Sequence, residues 1–176
     1  MKHCKLIAVV WMLCMACGNK NSHKNNDPSP TPKPNISVLK QNTKKYLSAW
    51  SEYDTLLQQS VTIQKFVRNV NGENISYDQH ELFKSMYFWH RAMPDILVVD
   101  KEITIVENRT YVNWECHGTN TGMLGDTPPT GKVGQTKGVS ILTFDDAGKI
   151  VHEVTYFDML NFMEDLGYSL SIPVMK

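Results

Sequence analysis

Apolar residues recur at helical spacing in the first part of the folded region. The segment from Ile36 to Trp50 has the pattern of an amphipathic helix. A short second helix is predicted over Glu52–Gln59, with Ser51 as its N-cap and acidic residues in its first turn. A third helix is predicted from about Tyr77 to Ala92, where the following Pro94 stops it.

The segment between the second and third helices contains a strand and two local signals. Ile63–Val70 is rich in strand-forming residues, and Asn71-Gly72 after it is a strong turn signal. Ser76 is followed three residues later by Gln79, which is the spacing of a capping box at the start of a helix. We therefore expect a strand and a tight turn before the third helix.

The second half of the chain has the pattern of strands. The predicted strands are Ile96–Ile105, Thr110–Thr119, Lys137–Asp145 and Lys149–Asp158, followed by a short helix over Met159–Leu166. A turn with Gly148 joins the last two strands into a hairpin. Helices first and strands later predict an α+β domain in which N-terminal helices pack on one face of a curved antiparallel sheet.

The N-terminus has the pattern of an export signal. Residues 1–17 contain an apolar run that is too short to span a bilayer, and the run ends in a sequence similar to a bacterial lipoprotein signal. We expect Cys17 to be acylated and to anchor the protein to a membrane of the bacterial cell envelope; a plain secretory peptide is the alternative. Residues 18–35 form a polar, Pro-rich tether, and residues 36–176 form the folded domain.

Charge and cysteine content narrow the function classes. The 18 Lys and Arg residues balance 18 Asp and Glu residues, and loss of the leader removes Lys2 and Lys5, which gives no support to nucleic-acid binding. Outside the leader the only cysteine is Cys116, which we expect to be a buried, inert thiol. No histidine and carboxylate pair has metal-ligand spacing, so we expect no metal site.

A set of short motifs occurs in a recognisable order along the folded region. They are Met93-Pro94-Asp95, Gly118-Thr-Asn-Thr-Gly122, Pro128-Pro-Thr-Gly-Lys132, Gly148-Lys149-Ile150, Asp158 and Leu166-Gly167. In order and spacing they resemble the SnoaL-like polyketide cyclase or ester cyclase family, which belongs to the superfamily of nuclear transport factor 2. The resemblance covers roughly residues 36–168, and it implies a cone-shaped, strongly curved antiparallel sheet around helices, with a pocket inside.

The resemblance also implies a site. The family's strand-end aspartate acts as acid/base without a cofactor, and by position it corresponds to Asp158. Side chains alternate along a strand, so Tyr156 shares a face with Asp158 and is expected to polarise the substrate if that face is the inner one. Asn120 is the alternative residue for polarising the substrate; it stands where the family has a histidine, so an amide replaces a potential acid/base. The other candidate ligand contacts are His117, His90, Trp50 and Trp114.

Two roles stay open for Asp158, and two functions follow from them. As an acid/base, it makes the protein a cyclase- or isomerase-type enzyme that acts on a hydrophobic carbonyl compound. It also stands directly before the last helix, where an N-cap carboxylate contributes about 1 kcal/mol; the protein is then a non-catalytic module that binds a small hydrophobic ligand or a partner. Apolar residues on both faces of the strand near Ile141 lead us to expect a homodimer.

Overall fold

The computed structural model describes residues 35–171. In chain order they form α1 (Ile36–Glu52), α2 (Thr55–Val61), β1 (Thr62–Val70), β2 (Glu73–Ser76), α3 (Gln79–Ala92), β3 (Leu97–Val106), β4 (Arg109–Thr119), β5 (Val133–Phe144), β6 (Ile150–Phe157) and α4 (Met159–Asp165). This is the predicted α+β class. The leader, the expected acylation of Cys17 and the tether up to residue 34 lie outside the described residues.

The six strands form one mixed sheet in the order β2-β1-β6-β5-β4-β3. All neighbouring strands are antiparallel except β1 and β6, which run parallel. The prediction of a purely antiparallel sheet was therefore wrong, because the strand patterns do not reveal that the first and sixth strands along the chain, β1 and β6, are neighbours in the sheet. The predicted strong curvature was also wrong: β2 and β3 remain separate edges, so the sheet is open and not strongly curled.

The helices cover one face of this sheet and close the core. Along α1, Leu39, Tyr46 and Leu47 are buried at the helical spacing that the sequence predicted, and they meet buried sheet residues such as Phe66 and Leu142. Burial of these side chains is the main stabilising contribution of the layer. Within residues 35–171, no helix is both long and apolar enough to cross a membrane.

Two helices begin at aspartates that the sequence patterns did not single out. Asp54 caps α2 by accepting from the Leu57 backbone N–H over 2.8 Å, whereas the predicted cap Ser51 exchanges hydrogen bonds with the backbone of Val98. Ser51 and Ser76 are thus not the caps that we predicted. In both cases an aspartate closer to the helix competes for the same role.

The third helix shows the same shift by two residues. Asp78 accepts from the Glu81 backbone N–H over 2.9 Å, and the Glu81 carboxylate accepts from the Tyr77 N–H over 2.7 Å. The residue predicted to be the cap, Ser76, is buried in β2 instead. The helix thus begins with a variant of the capping box, in which Asp78 is the N-cap and Glu81 bonds the N–H of the preceding residue, Tyr77.

Both predicted tight turns are present. Asn71 and Gly72 have φ values of +51° and +96° between β1 and β2, the left-handed pair that a two-residue hairpin turn needs. Gly148 has a φ of +76°, and its N–H donates to the Asp145 carbonyl over 3.0 Å between β5 and β6. These turns fix the register of the strands that carry the cavity residues described next.

Candidate ligand-binding site

A small cavity lies between the helices and the inner face of the sheet. Its volume is about 70 Å³, and its wall is mostly apolar. The aromatic residues of the wall are Trp50, Trp89, Trp114, Phe157 and Phe162. Because ligand pockets are apolar with a few convergent polar groups, this cavity is the candidate site. Its volume is well below the 300–1,000 Å³ or so of a typical drug-sized pocket, so it suits a small ligand.

A buried carboxylate forms the polar end of the cavity. Glu153 accepts hydrogen bonds at Oε2 from the Tyr46 hydroxyl and from Arg68 Nε, each over 2.6 Å. Its other oxygen accepts from the Ser140 hydroxyl over 2.8 Å. Three donors therefore surround the Glu153 carboxylate, and all four side chains line the same cavity. Full hydrogen bonding of this kind is what makes a buried charge tolerable.

Arg68 occupies a position where its charge is held by two neighbours. Its guanidinium carbon lies 4.6 Å from the ring centroid of Trp50, a cation–π geometry, and its Nε binds Glu153. Burial alone lowers the pKa of the Arg68 guanidinium, but the charge and hydrogen bond of Glu153, with Tyr46, outweigh burial and leave that pKa above its usual value. Arg68 therefore stays cationic inside the domain.

Tyr46 is held as a neutral donor. Burial, followed by the neighbouring charge of Glu153, raises the pKa of the Tyr46 hydroxyl well above its ordinary value, although Arg68 acts in the opposite direction. The hydroxyl consequently donates to Glu153 throughout the neutral range. Tyr46 also packs against Phe66, with ring centroids 5.9 Å apart, which fixes the phenol in place.

A second layer of hydrogen bonds joins the carboxylate to the aromatic wall. Trp114 Nε1 donates to the Ser140 hydroxyl oxygen over 3.0 Å, and the Thr155 hydroxyl lies 2.9 Å from the same oxygen. Cys116, also in the wall, is a free and buried thiol. Burial raises the pKa of Cys116 to about 12, so the inert thiol expected from the sequence is consistent with its surroundings.

The sequence-predicted site residues divide into those in the cavity and those elsewhere. Trp50 and Trp114 line the cavity. His90 does not; its Nε2 bonds to the Trp50 carbonyl oxygen, and its ring packs 5.2 Å from that of Tyr53. Tyr156 is half exposed, on the face of β6 opposite to Glu153 and Thr155, so the inner-face condition set for Tyr156 is not met. Contact of any of these residues with a ligand stays a prediction.

Asp158 lies at the surface, where it caps α4. Its Oδ1 accepts from the Asn161 backbone N–H over 2.8 Å, which confirms the N-cap interpretation. It lines an open polar cleft together with His117, and this cleft shares only Cys116 and Thr136 with the apolar cavity. An acid/base role for Asp158 stays a prediction, and its exposed position lacks the burial that tunes a catalytic carboxyl.

Asn120 is a structural clasp. Its Nδ2 donates to the carbonyls of Ala92 and Gly122 over 3.2 and 2.8 Å, and its Oδ1 accepts from the Thr130 N–H and hydroxyl over 2.9 and 3.1 Å. The side chain is fully buried and outside the cavity wall. All of its hydrogen-bonding capacity is thus used within the protein, which leaves none to polarise a substrate.

Gly122, in the motif that contains Asn120, lies too close to the end of α3 to carry a side chain. A Cβ at Gly122 would collide with the Arg91 carbonyl oxygen at the end of α3, and the Gly122 N–H donates to the Ala92 carbonyl over 3.0 Å. Only a residue without a side chain allows this close approach of two backbones. The motif therefore joins the end of β4 to the end of α3, a structural task.

The sequence patterns missed the central residues of the cavity, Tyr46, Arg68 and Glu153. Arg68 and Glu153 are register partners across the parallel pair β1–β6. The signal that was available is a basic residue on β1 and an acidic residue on β6, each on the same face of its strand as a buried neighbour. The two residues can be recognised as an ion pair only when β1 and β6 are known to be neighbours, and no local sequence pattern indicates that parallel contact.

The fold and this cavity define an α+β domain with a candidate ligand site. A family model described as SnoaL-like polyketide cyclase matches residues 40–166. The protein therefore belongs to the SnoaL-like polyketide cyclase family, as the motif resemblance indicated. Among curated proteins, none matches the chain.

Several solved structures share the fold at low sequence identity. A putative hydroxylase, AclR from Streptomyces galilaeus, is 22% identical with a TM-score of 0.68, covering 79% of this chain and 87% of that one. IdmH, a putative polyketide cyclase from Streptomyces antibioticus, is 16% identical with a TM-score of 0.65, covering 74% and 99%. A putative SnoaL-like polyketide cyclase from Jannaschia sp. CCS1 is 16% identical with a TM-score of 0.68, covering 82% and 99%. At these identities the likeness establishes the fold alone.

Proposed function

We propose that this domain binds a small, largely apolar molecule in the cavity, at the bacterial cell envelope, where an acylated Cys17 anchors it. The observation that carries the proposal is the aromatic wall that ends at the buried Glu153 carboxylate and its donors. Apolar walls supply affinity, and a few fixed polar groups supply orientation. The anchor rests on the sequence alone; loss of radiolabelled palmitate in Cys17→Ala is its test.

Binding is measured with two probes of one size, phenylacetate and its methyl ester, by quenching of tryptophan fluorescence and by calorimetry. Cys116→Met fills the cavity from β4, so both probes should lose at least tenfold in affinity. Asn113→Met is the matched control, because Asn113 lies on the same strand with an exposed side chain. Binding that survives Cys116→Met, or no binding of either probe at millimolar concentration, would contradict the proposal.

A second candidate function is cofactor-independent cyclase or isomerase chemistry with Asp158 as acid/base. Family membership favours it, as does the polar cleft of Asp158, which adjoins the cavity through Cys116 and Thr136. In that case a substrate extends from the cavity into the cleft, and Asp158→Asn abolishes turnover with little change in affinity. Equal turnover in Asp158→Asn and in the parent protein would exclude this role.

We also propose a homodimer formed through the outer face of the sheet. Val139 is opposite Tyr156, and Ile141 is opposite Val154 and Tyr111, so apolar side chains are adjacent on that face. A contiguous apolar patch of this kind is typical of an interface. Light scattering should give twice the mass of one chain, and Ile141→Glu should reduce it to one. A parent protein with the mass of one chain would refute the dimer.

A further inference from the structure

We propose that Arg68 is the residue that determines ligand specificity, and that it selects small aromatic carboxylates over their uncharged analogues. This inference rests on the proposed binding function of the cavity. The recognition element is the guanidinium of Arg68, which lines the cavity with its central carbon 4.6 Å from the centroid of the Trp50 ring.

The terminal edge of Arg68 is available for a ligand. Within residues 35–171, Arg68 Nε donates to Glu153, and the Nη groups make no further hydrogen bond of ordinary geometry, although the Tyr46 side chain also interacts with the guanidinium. The Nη atoms are also absent from the buried unpartnered atoms of this region, which means that they reach solvent-accessible space. A guanidinium that is mostly buried, with Nη groups that bind no protein acceptor, can donate hydrogen bonds to an acceptor on a ligand.

Glu153 orients the Arg68 guanidinium. It accepts a hydrogen bond from Arg68 Nε and is itself held by Tyr46 and Ser140, so the guanidinium is fixed on its Nε side. The two parallel N–H groups at the tip match the two oxygens of a carboxylate, which is the bidentate geometry that arginine favours. Pre-organisation of the donor reduces the entropy lost on binding.

The size and charge of the site narrow the ligand further. Aromatic side chains form the wall, and the volume of about 70 Å³ excludes large ligands. Arg68 and Glu153 form a neutral pair, so a bound monoanion adds one uncompensated charge and a phosphate dianion adds two. A small planar monoanion is therefore favoured over a dianion, and its bidentate hydrogen bonds to Arg68 must offset the single charge that the uncharged ester lacks.

The test compares phenylacetate, its methyl ester and phenylphosphonate on the parent protein at pH 7. We expect phenylacetate to bind at least tenfold more tightly than the ester and more tightly than phenylphosphonate. Arg68→Lys keeps the charge beside Glu153 but removes the planar guanidinium, so the preference for the acid over the ester should fall to about twofold. Arg109→Lys, an exposed arginine on β4, is the matched control.

The outcomes separate this inference from the proposed function. If the ester binds in the cavity as tightly as the acid, carboxylate selection is wrong and the binding function stands. If phenylphosphonate binds most tightly, the site selects phosphoryl groups and the proposal fails. If neither the acid nor the ester binds, both fail. The comparison on the parent protein decides the matter even if Arg68→Lys does not fold, which circular dichroism reports.

Discussion

Arg68 and Glu153 face each other across the only parallel strand pair of the described sheet, with Nε and Oε2 2.6 Å apart. Their side chains are 11% and 3% exposed, so desolvation of the two charges is substantial. The hydrogen bonds from Tyr46 and Ser140 offset part of that cost. A buried ion pair contributes little net stability. Its effect here is to hold the Arg68 guanidinium in one position at the cavity wall.

Glu153→Gln should destabilise the protein strongly. The substitution leaves Arg68 charged and mostly buried without a counter-ion, and breaking a buried pair in this way costs about 3–5 kcal/mol. Urea unfolding at pH 7 measures the free energy of unfolding. The control is Glu115→Gln, because Glu115 pairs with Lys101 and Lys137 at the surface, where screening makes ion pairs weak. Equal losses in the two variants would refute the buried-pair account.

Asn120→Ala should lower stability without changing ligand affinity. The substitution leaves the Ala92 and Gly122 carbonyls and the Thr130 N–H without their side-chain partner, a loss of about 2–4 kcal/mol for buried groups. Urea unfolding provides the measurement. Asn113→Ala, with one 3.3 Å hydrogen bond to Glu102 at the surface, should change little. A stable Asn120→Ala variant that no longer binds phenylacetate would give Asn120 a ligand role instead.

Asp158→Ala should cost about 1 kcal/mol, because α4 loses its N-cap. Asp158→Ser should restore most of that loss, since serine is also a good cap. Phenylacetate affinity, measured by calorimetry, should stay within about twofold in both variants, because the Asp158 side chain does not line the cavity. A tenfold loss of affinity in both would place Asp158 in the ligand site.

Asp95 should make stability depend on acid pH. The hydroxyl and the N–H of Thr119 both donate to its carboxylate over 2.7 Å, and these bonds lower the pKa of Asp95. Because the folded-state pKa is depressed, the contribution is complete above the unfolded value of about 4. It is lost as pH falls through the lower folded value.

Urea unfolding between pH 7 and pH 2.5 measures this dependence, and Asp95→Asn should flatten the acidic part of the curve. The control is Asp126→Asn, since Asp126 is exposed and its side chain accepts no hydrogen bond among residues 35–171. An unchanged acid limb in Asp95→Asn would show that the Thr119 bonds do not contribute to stability.

Local periodicity predicted most elements because it reports burial within one segment. The helix that buries Leu39 and Tyr46, the turn at Asn71-Gly72 and the hairpin closed by Gly148 all depend on neighbours a few residues away. Helix starts moved by two or three residues, because an aspartate such as Asp54 competes with a nearby serine for the same N–H groups. The α+β class followed from the order of these local segments.

The candidate site was harder to predict because it depends on distant contacts. Family position pointed to Asp158 and Asn120, but the structure uses the first as a helix cap and the second as a clasp between Ala92 and Thr130. Arg68 and Glu153 lie 85 residues apart and meet only through the pairing of β1 with β6. No local pattern contains that pairing, so the polar end of the cavity could not be seen from the sequence.

The most direct test of ligand binding in the cavity is a crystal structure of the protein soaked with phenylacetate. We expect density for the ring among Trp50, Trp89 and Trp114, with the carboxylate oxygens within hydrogen-bonding distance of the Arg68 Nη atoms. Density for phenylacetate in the polar cleft beside Asp158, with an empty cavity, would contradict the proposed binding site and favour a site at Asp158 instead.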